Sequence, residues 1–180
     1  MTKKEIIDNI LKIEGGYTND SSDSGGETNY GITKRTAISY GYRGSIRNLP
    51  KELAFEIYEK KYWDKLKLDK IFKIAPKTAE KMFDIGVNAG TSRAGKWLQT
   101  SINALNHKGR YSSGGLVVDG AVGRGTLGAF KAFIKHRGKN GDEVMRRMLN
   151  ALQGNHYINI ALKYPKNKKY TYGWVSNRVQ

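Results

Sequence analysis

Cysteine is absent from the 180 residues, so no disulfide can brace the fold, no thiol can serve as a nucleophile, and the chain is indifferent to redox compartment. Long apolar runs are missing as well. Lys3, Lys4, Glu5 and Asp8 break up the N-terminus, and no uninterrupted apolar stretch approaches spanning length, so neither a transmembrane helix nor a Sec-type signal peptide is expected. The expectation is a soluble chain made in the cytoplasm whose exit needs outside help. Histidine is scarce: His107, His136 and His156 are far apart and show no H-E-x-x-H or similar ligand spacing, so no metal and no cofactor is expected. No G-x-x-x-x-G-K-[ST] follows a strand, which argues against nucleotide binding. Internal repeats and low-complexity segments are also lacking.

Positive charge is what the chain has in excess. Thirty-two Lys and Arg stand against sixteen Asp and Glu, a formal charge of +16, which favours a polyanionic partner through long-range attraction. Nucleic acid, an anionic membrane and the bacterial wall all qualify. The basic residues run from Lys3 to Arg178 rather than forming one arm, so charge is a whole-surface property. No helix-turn-helix, zinc-finger or RNA-binding signature is present, so nucleic acid is not expected as a partner.

At 38% hydrophobic the chain is apolar enough for one compact core with an appended lobe. Thr2 followed by Glu5 is a capping-box pattern, and Ile6, Ile7, Ile10 and Leu11 recur at helical spacing, predicting a helix over 3–13. Gly15-Gly16 stops it, and residues 17–31, rich in Gly, Asn, Asp, Ser and Thr, read as turns with a short β-hairpin. Thr33 can cap a short helix to about Tyr40, Pro50 can start one through Trp63, and Pro76 can start another. Ala94, Trp97, Leu98 and Leu105 predict a further helix. Residues 106–125 read as loop, 126–135 and 142–162 as helix, and Gly173-Trp174 as a final helical turn.

One acid stands out in this pattern. Glu14 falls three residues after Leu11, four after Ile10 and seven after Ile7, so helical spacing puts its carboxyl on the apolar face of the first helix. It also sits at the helix's negative end, so desolvation and dipole both disfavour its charged form, which suits a proton donor. Periodicity alone leaves open a helix-end glutamate that reaches into water. Asp20, Asp23 and Glu27 lie in the polar loop that follows, an environment that keeps carboxylates ionised, and acids in contrasted settings mark acid and base roles in glycoside cleavage. For any single loop Asp, a turn-forming role competes.

The run Glu14-Gly15-Gly16-Tyr17, followed by Asp23-Ser24-Gly25-Gly26-Glu27-Thr28-Asn29-Tyr30-Gly31-Ile32-Thr33, resembles the signature of glycoside hydrolase family 108 muramidases. The resemblance continues through Tyr62-Trp63, Phe83-Asp84, Asn88 and Gly90, and the stretch from Leu116 to Thr126 looks like that family's C-terminal peptidoglycan-binding lobe. The family includes phage endolysins and a muramidase that assists toxin release, and its motif glutamate is the catalytic acid, which maps onto Glu14. By their order in related lysozymes, Asp23 and Thr28 correspond to the remaining catalytic residues, with Asp20 competing for the second carboxylate. Where such loops often carry Pro before the paired glycines, this chain has Ser24.

The resemblance implies a mainly α, lysozyme-like fold with a small β-hairpin region and a helical peptidoglycan-binding lobe. It implies a catalytic region at 1–90 and a second region at 91–180, packed together. Tyr17, Tyr30, Tyr62 and Asn88 become candidate substrate contacts, although tyrosines are also common at core edges. The expected protein is a monomeric peptidoglycan hydrolase without cofactor, metal or membrane insertion, reaching the periplasm or wall by holin-type or other assisted release. The competing reading is a non-catalytic cationic wall-binding protein.

Overall fold

The computed structural model describes residues 1–19 and 26–179. Two compact units divide the chain, Met1–Trp63 and Asp64–Gln180. Helix α1 (Lys3–Glu14) starts on the expected capping box: the Glu5 N–H donates to Thr2 Oγ1 at 3.2 Å and the Thr2 N–H donates to Glu5 Oε2 at 2.8 Å. Both otherwise orphaned donors of the first turn are thereby satisfied. Ile6, Ile7, Ile10 and Leu11 are buried, and their i, i+3/i+4 spacing makes one core-facing stripe.

The polar stretch after α1 contains a two-stranded antiparallel hairpin, β1 (Thr28–Asn29) and β2 (Ile32–Thr33), with Thr28 opposite Thr33 and Asn29 opposite Ile32. Its two turn residues, Tyr30 and Gly31, have φ of +52° and +66°, the positive pair that a type I′ turn requires. Helix α2 (Lys34–Ser39) follows, capped by the Thr33 hydroxyl, which accepts from the Thr36 N–H at 3.2 Å. Helix α3 (Lys51–Tyr58) was expected to run from Pro50 to Trp63. Instead it widens after Tyr58 into a π-helical turn, Glu59–Asp64. The wider turn re-aims the side chains it carries: Trp63 is fully buried, with the Lys3 ammonium 5.4 Å from its ring centre, and Tyr62 is half-buried.

In the second unit, α4 (Leu68–Phe72), α5 (Pro76–Ala89), α6 (Thr91–Leu105), α7 (Arg124–Arg137), α8 (Lys139–Lys163) and α9 (Lys168–Arg178) pack around α5, which touches α4, α6 and α8. Helix α5 has Pro at its start and no capping side chain of its own. Asp142, near the beginning of α8, does this instead, accepting from the Lys77 N–H at 3.1 Å and the Thr78 N–H at 2.8 Å. A polar network joins α5, α8 and α9. Asp84 accepts from Arg178 at 2.7 Å and from Gln153 at 3.1 Å, and the Lys81 ammonium donates to the Arg178 carbonyl. Burial in this network pushes the Tyr157 phenol up to about 12.

Two elements exceed the sequence expectation. The short helix α4 was not anticipated, and the closing turn at Gly173-Trp174 is a full eleven-residue helix. Local propensity does not specify α9, with Gly173 in its middle. Tertiary contacts hold it: Trp174 packs on Tyr157 with ring centres 5.4 Å apart, and Arg178 reaches Asp84. Among the described residues no helix is long and apolar enough to cross a membrane.

Candidate active site

Helix α1 carries Glu14 as its last residue, and the chain leaves the helix through Gly15 at φ +81°. Glu14 is half-buried while Ile10 and Leu11, one turn earlier, are buried. The carboxyl therefore sits where the apolar face of α1 meets the surface. Directly beneath it lies the hairpin turn. A β-carbon built on Gly31 would stand 3.0 Å from Glu14 Oε2 and 3.0 Å from the Tyr58 hydroxyl, both closer than ordinary contact.

Tyr58, the last residue of α3, locks this arrangement. Its hydroxyl donates to the Tyr30 carbonyl at 2.8 Å, and its ring meets that of Tyr62 with centres 5.3 Å apart and planes at 52°. Burial pushes the Tyr62 phenol up, and the negative charge of Glu14 pushes it the same way. Tyr62 thus stays a neutral phenol close to Glu14. Tyr30 holds a left-handed conformation that costs a non-glycine residue about 1 kcal/mol, and such strain concentrates at functional turns.

A second group of contacts closes the base of the polar loop. Thr18 and Thr28 exchange both backbone hydrogen bonds at 2.9 Å, and their hydroxyls lie 2.7 Å apart. The Tyr17 hydroxyl donates to Glu27 Oε1 at 2.9 Å, and the Arg47 guanidinium covers one face of the Tyr17 ring at 4.3 Å. The Asn29 amide donates to the carbonyls of Ile46 and Arg47, both at 3.0 Å, tying the hairpin to the segment that presents Arg47.

Of the residues singled out from sequence, Glu14, Tyr30 and Tyr62 meet in one cluster, and Tyr17 and Thr28 share the neighbouring base of the loop. Tyr17 has only one ring face left for a sugar, because Arg47 occupies the other. Asp23 and its competitor Asp20 lie outside the described residues. Asn88 belongs to the second unit, where its Oδ1 accepts from the Tyr157 hydroxyl at 2.7 Å. Sequence reasoning missed Tyr58 and Arg47. Tyr58 carries a faint signal as an aromatic one helical turn before Tyr62, whereas Arg47 is one of many basic residues and carries none.

Chemically, the cluster offers a half-buried carboxyl, the phenols of Tyr58 and Tyr62 and the tight turn at Tyr30-Gly31. A carboxyl so placed can deliver a proton to an oxygen held above Gly31. Residues 7–90 match the family model described as Glycosyl hydrolase 108, and residues 93–179 match the one described as Predicted Peptidoglycan domain. The solved structure of SagA from Brucella abortus is similar over 98% of this chain and 95% of its own, at 22% identity and a TM-score of 0.59. The two share a mainly α, lysozyme-like fold. No curated protein matches the chain.

Proposed function

Because the chain belongs to the glycosyl hydrolase 108 family through residues 7–90 and carries a peptidoglycan domain in residues 93–179, it is a peptidoglycan-directed glycoside hydrolase, and we propose that it is an N-acetylmuramidase. The bond cut is the β-1,4 linkage between N-acetylmuramic acid and N-acetylglucosamine. The observation that carries this reading is the setting of Glu14: half-buried at the end of α1, above Gly31 and beside Tyr62.

In this reading Glu14 protonates the glycosidic oxygen as the bond breaks, so the leaving sugar departs as an alcohol rather than an alkoxide. Asp23, from the polar loop, supplies the second carboxylate that orients water or stabilises the oxocarbenium-like transition state. The Thr28 hydroxyl, already bonded to that of Thr18, adds a hydrogen bond to the water. Tyr30, Tyr62 and the ring face of Tyr17 away from Arg47 contact the sugar rings. The enzyme works as a monomer, is released to the wall with assistance, and opens it for phage lysis or for local passage of protein or toxin.

Mass spectrometry of peptidoglycan digested with the protein tests the bond. Products with reducing-end N-acetylmuramic acid are expected, whereas reducing-end N-acetylglucosamine, anhydro ends or free peptides would each overturn the muramidase reading. Glu14→Gln, which keeps the shape and removes the ionisable proton, is expected to lower the rate by about 10²–10⁴-fold with the melting temperature retained. A folded Glu14→Gln protein of undiminished activity would move the catalytic acid elsewhere.

A further inference from the structure

The loop between α6 and α7 forms one wall of a second cleft, within the unit Asp64–Gln180. Its volume is about 430 Å³, and Lys65, Lys67, Thr91, Ser92 and Asp119 line it together with the backbone that follows Asp119.

That wall is held rigidly from behind. The buried Gln99 side chain donates to Asp119 Oδ1 at 2.8 Å and to the Ala121 carbonyl at 3.0 Å, and accepts from the Gly120 N–H at 2.8 Å. The loop also lies flat on α6. A β-carbon on Gly95 would stand 2.1 Å from the Gly120 carbonyl oxygen, and one on Gly120, at φ +87°, would stand 2.6 Å from the Ser92 carbonyl oxygen. Neither position admits a side chain, so glycine is obligatory at both.

Asp119 is therefore fixed with one oxygen engaged. Its Oδ1 takes the Gln99 amide and, at 2.8 Å, the Ala121 N–H, while Oδ2 makes no hydrogen bond within the described residues. These two donors hold the carboxyl below the usual carboxylate range. Lys65 and Lys67, which line the same cleft, are exposed and form no ion pair with the described residues. Lys67 holds φ +55°, a left-handed conformation unfavourable for any residue with a β-carbon. Glycine would relieve that strain, yet the position carries an ammonium.

The mixture of signs selects the ligand. An uncharged glycan has no use for a held carboxylate and two ammonium groups, and a phosphate polymer drawn to the lysines would be repelled by Asp119. A zwitterionic segment satisfies both. We propose that this cleft binds the peptide part of peptidoglycan, a short peptide with a free ammonium and a free carboxylate. The ammonium donates to Asp119 Oδ2, the carboxylate lies between Lys65 and Lys67, and the hydroxyls of Thr91 and Ser92 meet peptide groups. The assignment rests on the reading of the chain as a peptidoglycan enzyme, and adds a site that recognises the stem rather than the glycan.

Calorimetric titration of the Glu14→Gln protein, in which no bond is cut during the measurement, tests it. The probes are a synthetic stem tetrapeptide with a free side-chain amine and the same peptide with that amine acetylated. The acetylated peptide is expected to bind at least about fivefold more weakly. Asp119→Asn is expected to weaken the amine form by a similar factor and to erase the difference between the two peptides. Lys65→Ala combined with Lys67→Gly is expected to weaken both peptides at least about fivefold, with a melting temperature unchanged or raised because glycine adopts φ +55° freely. Equal binding of the two peptides, or full binding by Asp119→Asn, would overturn the assignment. Absence of peptide binding alongside release of reducing-end N-acetylmuramic acid by the unsubstituted protein defeats the cleft alone. Peptide binding as expected without glycan cleavage defeats the muramidase reading instead.

Discussion

Gly31 shows how much one residue decides. Its φ of +66° serves the hairpin turn, and its missing side chain leaves the room that Glu14 Oε2 and the Tyr58 hydroxyl fill. Gly31→Ala adds a β-carbon at 3.0 Å from both oxygens, so the turn or the carboxyl must move. The expected result is a stability loss of about 1–2 kcal/mol in urea unfolding, with a fall in peptidoglycan hydrolysis of tenfold or more under conditions where the variant stays folded. Gly41→Ala is the control. Its φ is +88° with nothing within 4 Å, so it is expected to lose similar stability and keep its activity. At this scale the sequence disclosed Glu14 through the spacing of Ile7, Ile10 and Leu11. It did not disclose Tyr58, because the contact with Tyr30 spans 28 residues and no periodicity reports such a pairing.

At the scale of elements, local rules predicted helices wherever caps and apolar stripes agreed. Thr2, Thr33, Pro50 and Pro76 all mark helix starts, and each helix begins within one residue of its signal. The rules failed where the deciding group was distant. Helix α5 has Ala75 before it and no side-chain cap of its own, and its cap is Asp142, 64 residues from Thr78. Asp142→Ala is expected to cost about 2 kcal/mol, because two backbone donors and the Thr78 hydroxyl lose a buried charged acceptor. Asp142→Asn, which keeps one acceptor oxygen, is expected to cost less. Urea unfolding followed by circular dichroism measures both, and equal stability of Asp142→Ala and the unsubstituted protein would refute the capping role. The split of the expected helix 50–63 into α3 and a π-helical turn has the same origin. The burial of Trp63 overrides a pattern that would otherwise read as one continuous helix.

For the whole molecule, the formal charge of +16 is expected to speed encounter with an anionic wall. Peptidoglycan stems and associated wall polymers carry anionic groups, and attraction between exposed charges is screened over about 10 Å at 0.1 M salt. Clearance of intact sacculi is expected to fall severalfold between roughly 0.05 M and 0.3 M salt, while cleavage of a short uncharged glycan oligomer changes less than about twofold. Equal salt dependence for the two substrates would assign the effect to the active site rather than to attraction. By itself the sequence determined what depends on neighbours along the chain: the helical character, the hairpin, the stopping of α1 at Gly15, the sign of the surface and, through the run from Glu14 to Thr33, the family. These are settled by backbone propensity, capping and composition, which act over a few residues or over the whole surface at once. Only the tertiary structure decided that Tyr58 and Gly31 frame Glu14, that Asp142 starts α5, that Arg178 holds α9 to Asp84, and that Asp119 shares a cleft with Lys65 and Lys67. Each of these joins residues from about 15 to almost 100 positions apart, and burial and hydrogen bonding choose among such pairings only once the chain has packed.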